Sequence, residues 1–595
     1  MILQALKKYY DCKAEDSSSG IAPLGWEWKR IPFLVVFNTE GRFIRLEDTR
    51  DKSEGKVLAK VFLVPSLGEA KGNGIKSNLF WENGEYFFGI PLDAKKLESK
   101  GEKYKSRVAD QHKAFIEKIR SLSSTCGANA DYVSVLRFTE LDQKEIVMAD
   151  PLWEEAIQVN QAFLMCLEGR GPVPSIPEIK KAVMDKASEQ SKSTRLIRCL
   201  VTGELDEPSR LEPDIKGVRG ANPTGAHIVA VNNKVSNSGN GGATPAFASF
   251  MKEQGANSPI GKSASLAYTT ALNTLLTTRK MQVGDATTVF WSEKKTSLED
   301  EFFDLFGEPD KDNPDKGVAA VERLLASVRT GAFSPEDDTT RFYVLGLAPN
   351  SARISVRFWH NGTVAEMERR FADWFENLRI VHGPKEKEHL SLWRLLVSIA
   401  PLGKSENIPP NLAGSVMRSI LEGTPYPATL LSSAILRIKA EHEVTYPRAK
   451  IIKAFINHNL NQERKLTVSL DKENANVGYR LGRLFAVLEK IQIAAIKPET
   501  TIREKFYAAA STSPVAVFGN LMRLSGYHLS KLDSDKRGLR IWFEKQIEEI
   551  MSGIEVFPPH LTLEEQGMFA IGYYHQRIAR NSDEKIENTS SAESL

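Results

Sequence analysis

Residues 477–496, VGYRLGRLFAVLEKIQIAAI, decide how the second half of this chain is to be read. Leu481, Leu484, Phe485, Leu488, Ile491 and Ala495 recur at the three- and four-residue steps that stack side chains on one face of a helix, so that face belongs in a core. Arg480, Arg483, Val487 and Lys490 follow the same spacing on another face, which predicts a basic stripe on a helix packed on its far side. A solvated surface explains such a stripe as simply as a groove wall for a polyanion does.

Working outward, residues 477–545 hold twelve lysines and arginines against six acids, whereas 546–595 hold three against nine. The net charge of +3 therefore hides a segregated field. Affinity for nucleic acid has to come from such local clustering. Arg523, Tyr527 and Lys531 again recur at helical spacing and add a second basic edge with an aromatic inside it. Charges can follow phosphates while the aromatic face stacks on bases, which is how single strands are held without sequence preference.

Upstream, everything from Thr363 onward reads as helix with short breaks, Thr363 and Glu366 forming a capping box for AEMERRFADWFENL. RFYVLGLAPNSARISVRFW, residues 341–359, is the last β-structure, two strands around a Pro-Asn-Ser turn. Before it the chain is mixed. IPFLVVF and RFIRLE form a hairpin closed at Asn38 to Gly41, and VLAKVFLVP continues the sheet. Asn83-Gly84, between aromatic runs, predicts a second hairpin. Residues 95–120, with nine basic residues against four acids, read as one helix. DYVSVLRF reads as a strand, PLWEEAIQVNQAFLMC as a helix, RLIRCLVTGE as a strand, HIVAV as a short strand, Ala264 to Thr278 as a helix and MQVGDATTVFWSEK as a strand. The expected class is α+β: a mixed, hairpin-rich N-terminal region, then an all-α bundle. The expected domains are 1–125, 126–360 and 361–595.

At 595 residues, 41% hydrophobic and 26% charged, the chain has room for two to four globular domains. Four scattered cysteines, Cys12, Cys126, Cys166 and Cys199, match no zinc or iron-sulfur spacing and suggest a reducing compartment. No apolar run of ~18 residues and no signal-peptide pattern occur, so the expected location is the cytoplasm.

Catalytic motifs fail one by one. Five residues separate Gly255 from Gly261-Lys262-Ser263, one too many for a phosphate-binding P-loop. Thr244 replaces the third glycine of a dinucleotide pattern begun at Gly239. None of the ten histidines begins HExxH, since His442-Glu443 lacks the second histidine. Asp533 with Asp535, and Glu548 with Glu549, sit in charged surface contexts. No serine or cysteine occupies a nucleophile elbow. No catalysis, cofactor or metal is expected; the competing reading is a nuclease or RNA-processing enzyme working through His528, Tyr574 or His575.

NVGYRLGRLFAVLEKIQ, GTPYPATLLSSAILRIKAE with RAKIIKAFINHN, FYVLGLAPNSARISVRFW, MQVGDATTVFWSEK and LEEQGMFAIGYYHQRIAR together resemble the large subunit of the type I-C CRISPR Cascade surveillance complex. MILQALKKYY and GIKSNLFWENGEYFFGI are similar to that family too, so the likeness spans nearly the whole chain in order. The resemblance implies a non-enzymatic DNA-binding and scaffolding subunit of a crRNA-guided ribonucleoprotein for antiviral defence. It sits beside the subunit that holds the 5′ handle, together with repeated backbone subunits and small subunits. It implies recognition of the protospacer-adjacent motif in duplex DNA, strand opening and R-loop formation, and a platform for the helicase-nuclease. Residues from about 477 to 595 resemble the small subunits that line the displaced strand, and in this subtype the small subunit arises by internal translation, with Met417 or a non-ATG start near Val477 as possible origins.

Two groups of residues follow as candidates. The loop carrying Lys71, Gly72, Asn73, Gly74, Lys76 and Asn78 is the expected motif reader: glycines let backbone enter a groove, Asn73 and Asn78 meet base edges, and Lys71 and Lys76 hold phosphates. The Asn/Gly segment from Gly220 to Gly242 is its rival. Arg480, Arg483, Lys490, Arg523 and Lys531 are expected on the phosphates of the displaced strand.

Overall fold

A computed structural model describes residues 1–16, 19–51, 58–68, 74–158, 162–190, 196–230, 258–307, 316–330, 339–351, 353–460, 465–532 and 536–579. The chain divides into two compact units, Met1–Thr278 with Pro349–Ser355, and Arg279–Ala348 with Val356–Leu595.

The first unit is built on a five-stranded sheet in the order Phe43–Asp48, Phe33–Phe37, Ala162–Leu167, Trp81–Asn83, with Gly171–Pro172 pairing beside Ala162–Leu167. FLVVF and AFLMCL are unbroken apolar runs because they lie side by side at the centre, in parallel, and are buried on both faces. Successive residues alternate between two cores. Phe33, Val35, Phe37, Phe163 and Met165 point to a cluster with Phe87, Phe115, Tyr132 and Val135 from the surrounding helices. Leu34, Val36, Leu164 and Cys166 face the opposite cluster with Phe62, Val64 and Trp81, two of which come from the Val61–Pro65 strand that pairs with Trp26–Arg30. Full burial of each such phenylalanine or leucine contributes ~1.5–3 kcal/mol.

Several local expectations are corrected here. Asn83-Gly84 closes no hairpin: Asn83 Oδ1 accepts the Tyr86 N–H at 3.2 Å and caps the short helix Gly84–Phe88. DYVSVLRF lies in the helix Ala130–Glu140, started by Asn129 Oδ1 on the Tyr132 N–H, with Tyr132 and Val135 buried on one face. The apolar run ending in AFLMCL is a strand; only Trp153–Ile157 before it is helical. Gly101, at φ +46°, breaks residues 94–120 into the helices Ala94–Lys100 and Glu102–Arg120. Among its described residues RLIRCLVTGE yields only the strand Ile197–Arg198. The described residues of HIVAV, 227–230, form no strand: Ala226 and His227 make isolated bridges, to Ile215 and Arg353. The 264–278 helix is present as Lys262–Thr278.

The second unit opens with a four-stranded sheet in sequential order, Lys280–Val283, Ala286–Ser292, Arg341–Asn350 and Arg353–Thr363. MQVGDATTVFWSEK is thus a hairpin and not one strand, turned at Gly284 with φ +60°. The strands around Pro349 and Asn350 are where the sequence places them. Thr363 Oγ1 accepts the Glu366 N–H at 3.3 Å and starts Val364–Leu378, after which every described regular element is helical. The α+β class stands, strands gathered toward the N-terminus and helices toward the C-terminus. No helix among the described residues is long and apolar enough to cross a membrane.

At the centre of the helical region, Val477–Ile496 lies against Leu563–Ile578 at backbone distance. A Cβ on Gly482 would stand 2.0 Å from the Phe569 carbonyl oxygen, and one on Gly572 2.0 Å from that of Tyr479. Glycines here are absent side chains that let two helices touch.

Two lysines of Tyr446–Asn459 are buried under the end of Val364–Leu378. Lys450 Nζ donates to Leu378 O at 3.2 Å and Glu388 O at 2.7 Å, and Lys453 Nζ to Asn377 O at 3.3 Å, so they occupy the negative end of the helix dipole. Burial pushes Lys450 down to about 7 and Lys453 to about 8; Glu388 opposes the first shift and Glu376 the second, while Arg379 adds to both and the Lys453 charge adds to that of Lys450. Between these values and the ordinary lysine range the unfolded chain binds more protons than the folded one. The stability contribution of these groups therefore rises with pH across that window. Denaturant midpoints measured from pH 7 to 9 should increase, and Lys450→Met should flatten the increase; a midpoint independent of pH in the parent chain would contradict the assignment.

Candidate nucleic-acid interface

Lys71, Gly72 and Asn73 lie outside the described residues, as does most of the rival segment, whose described part ends at residue 230. The C-terminal root of the 68–78 loop is described. Gly74 and Ile75 are exposed, Lys76 is half-buried, and Ser77 and Asn78 are buried. Asn78 is committed inward: its backbone N–H and Nδ2 both donate to Glu82 Oε1, at 3.0 and 3.1 Å, while Glu82 Oε2 accepts the Asn83 N–H at 3.0 Å. Three N–H donors thus satisfy a carboxylate that is only 2% exposed. Asn78 so pins the loop root to the Trp81–Asn83 strand, and its amide does not project with Gly74 and Lys76. Glu82→Gln, which takes the charge from all three bonds, should release this root and raise amide exchange at 74–78 by about tenfold or more, corresponding to loss of a charge-assisted bond of ~1.5–3 kcal/mol.

The basic stripe of Val477–Ile496 separates from the second basic edge. Arg483 is fully buried. Its guanidinium forks onto Glu549, at 2.9 and 2.6 Å to the two carboxylate oxygens, and its Nε donates to Gln576 Oε1 at 3.0 Å. Arg480 is half-buried, its Nε on Asn474 O at 2.8 Å. Lys490 Nζ donates to Gln576 O at 2.8 Å, near the end of the Leu563–Ile578 helix. The stripe expected to face a polyanion is, at these residues, the seam between helices. Glu549, expected in a solvated charged context, is instead the counter-ion of that seam.

The second edge is what helical spacing predicts. On Pro514–Ser530 and just past it, Arg523, Tyr527 and Lys531 are all exposed, Tyr527 by 63%. The Lys531 ammonium lies 5.0 Å from the Tyr527 ring centroid, and Arg523 Nη2 is 2.9 Å from Asn520 Oδ1. A cation held over an aromatic face beside a second cation can meet a phosphate and a base together.

The residues of the competing enzymatic reading are buried. His575 is 0% exposed, and burial takes its imidazole down to about 3. Its Nδ1 lies 2.9 Å from the Tyr479 hydroxyl, which accepts the Asp471 N–H at 3.1 Å. Tyr574 donates to Val381 O at 2.9 Å, and His528 is 8% exposed.

Sequence reasoning missed Glu82 and Glu549: Glu549 meets its partner Arg483 from 66 residues away, whereas Glu82 is bound by Asn78 and Asn83 close by in sequence and only its burial is a tertiary property. No curated protein matches the chain. The family model described as CRISPR-associated protein (Cas_Csd1) matches residues 6–581, nearly the whole chain. The chain therefore belongs to the Cas_Csd1 family of CRISPR-associated proteins, the large subunits of the type I-C Cascade complex.

Proposed function

We propose that this chain is the DNA-handling, non-catalytic scaffold of its Cascade: it reads the protospacer-adjacent motif in duplex DNA, promotes opening of the strands, holds the displaced strand, and supports the helicase-nuclease. It works in the cytoplasm with the crRNA, the repeated backbone subunits, the 5′-handle subunit and the small subunits. The family match across residues 6–581 carries this reading. The pinned root of the 68–78 loop supports motif recognition there, with Lys71, Gly72, Asn73, Gly74 and Lys76 at the DNA and Asn78 holding the loop in place. The exposed Arg523–Tyr527–Lys531 edge supports displaced-strand binding in the part of the chain similar to a small subunit. Arg480 and Lys490 serve this surface only through groups not already taken up in the helix seam. Opening the duplex is nearly balanced, because the guide–target hybrid replaces the lost pairs, so modest contacts of these kinds can tip it.

The test is the affinity of the assembled, guide-loaded complex for a matched duplex with its correct motif and with a scrambled one, using the parent chain and Asn73→Ala. A wrong pair should cost the parent ~1–3 kcal/mol and the variant much less. Equal discrimination by both would move the reader toward Gly220 to Gly242, and none in the parent would sink motif reading. On the displaced strand, Arg523→Ala or Lys531→Ala should weaken binding evenly across sequences and lower the slope of log affinity against log salt by about one; an unchanged slope would leave these residues as surface.

A further inference from the structure

Within the first unit the strand Trp26–Arg30 and the helix Lys262–Thr278 form the walls of a cleft of about 1,040 Å³, with Trp81 and the Asn78–Glu82 pair among its lining residues. Ser66, Leu67 and Gly68, which lead into the candidate motif loop, line it as well. Trp28 is 50% exposed, and its ring is fixed because the indole N–H donates to Gly20 O at 2.6 Å. A large aromatic held by its only polar atom and left half-bare is a ready stacking platform.

The facing helix buries Ala264, Ala267, Ala271 and Leu275 on its other side and lines the cleft with threonines. Thr274 donates its hydroxyl proton to Thr270 O at 2.8 Å, and Thr277 to Asn273 O at 2.9 Å. Their protons are spent within the helix, so these hydroxyls offer lone pairs. Thr269 also lines the cleft but is only 3% exposed, so the hydroxyls open to a ligand are those of half-buried Thr274 and exposed Thr277. Asn273 is occupied in holding the cleft's shape: it accepts the Lys216 N–H at 2.9 Å and donates to Asp214 O at 3.0 Å. Exposed Arg30 and Lys216 and half-buried Lys29 add cations to a lining that also holds the carboxylates of Glu27, Glu82 and Asp214.

This size suits a small ligand, pockets for which run to ~1,000 Å³, and is too small for a duplex. An aromatic plane opposite hydrogen-bond acceptors, with cations beside them, matches a nucleotide: a π-faced base with exocyclic amino donors and a phosphate on either side. We propose that the cleft takes one unstacked nucleotide of the target DNA, its base on Trp28 and its amino edge toward the threonine hydroxyls. The proposal rests on the reading that the chain opens DNA beside the 68–78 loop, and it adds where an extruded base goes.

The experiment uses the guide-loaded complex assembled with the full chain and matched duplexes carrying 5-iodo-2′-deoxyuridine at successive positions of either strand around the motif. A parallel set of complexes carries 5-iodouridine in the guide. After irradiation the crosslinked peptides are mapped, and motif discrimination is measured on the same samples. The expected result is a crosslink from one DNA position to the peptide containing Trp28. Affinity should fall about 5- to 150-fold in Trp28→Ala, largely return in Trp28→Phe, and fall more modestly in the near-isosteric Thr274→Val. A crosslink to that peptide from the guide alone would overturn the DNA assignment. Intact motif discrimination with no crosslink to the cleft and no effect of Thr274→Val would overturn the pocket and leave the motif reading standing. Loss of discrimination in the parent complex, with no crosslink, would overturn both.

Discussion

Replacing Gly482 by valine should destabilise the helical region by ~3 kcal/mol or more, at the upper end of what forced overpacking costs in a well-packed core. The reason is geometric. A Cβ at this position falls 2.0 Å from the Phe569 carbonyl oxygen and 2.8 Å from the Tyr573 nitrogen, both backbone atoms that cannot swing aside. Only separation of the Val477–Ile496 and Leu563–Ile578 helices would relieve it. Separation would loosen Leu481, Leu484, Phe485 and Phe569, all fully buried. Gly482→Ala should already be harmful, and Gly572→Ala should match it from the other side of the seam, where the Tyr479 carbonyl lies at the same 2.0 Å. The control is Gly519→Ala on the exposed face of Pro514–Ser530, where a Cβ meets nothing within 4 Å. That change should stabilise by ~0.5–1 kcal/mol through helix propensity alone. Denaturant unfolding with a helix-sensitive probe separates the cases; tolerance of Gly482→Val would show that the helices do not approach this closely.

Glu549→Ala should cost ~3–5 kcal/mol, although Glu549 itself is one-third exposed, because it leaves the Arg483 guanidinium charged and unpaired in a core. Arginine cannot escape by losing its proton. The double replacement Arg483→Met with Glu549→Leu should recover most of the loss, since apolar groups of similar size need no counter-ion. A double-mutant cycle reads the coupling. Neither single variant should change the salt slope of DNA binding beyond what unfolding explains. A one-unit drop in slope for Arg483→Ala at unchanged stability would return that residue to the DNA-facing set.

Local sequence was enough wherever a neighbour within a few residues settles the matter. The Thr363 cap, the hairpin around Pro349 and Asn350, the helix ending at Thr278 and the exposed Arg523–Tyr527–Lys531 edge all follow from spacing and turn chemistry, and the structure has them. Where two readings share one local pattern, sequence chose wrongly. Asn-Gly serves a hairpin or a helix cap, and at Asn83 the Tyr86 N–H decides for the cap. DYVSVLRF suits a strand or a buried helical face, and AFLMCL suits a helix or a strand between two others.

The sequence by itself determined the α+β class, the family and the exposed basic edge, because each rests on order along the chain or on periodicity. Only the tertiary structure decided that Arg483, identical in type and spacing to a surface arginine, faces Glu549 inside a seam, and that Asn78 turns in to Glu82 while Gly74 and Ile75 stay out. The physical reason is that a charged or amide side chain carries the same local signature whether water or a distant partner satisfies it. Burial depends on contacts between segments far apart in the chain even where, as for Asn78 and Glu82, the partner is a near neighbour in sequence, and periodicity names a face of a helix without saying what covers it.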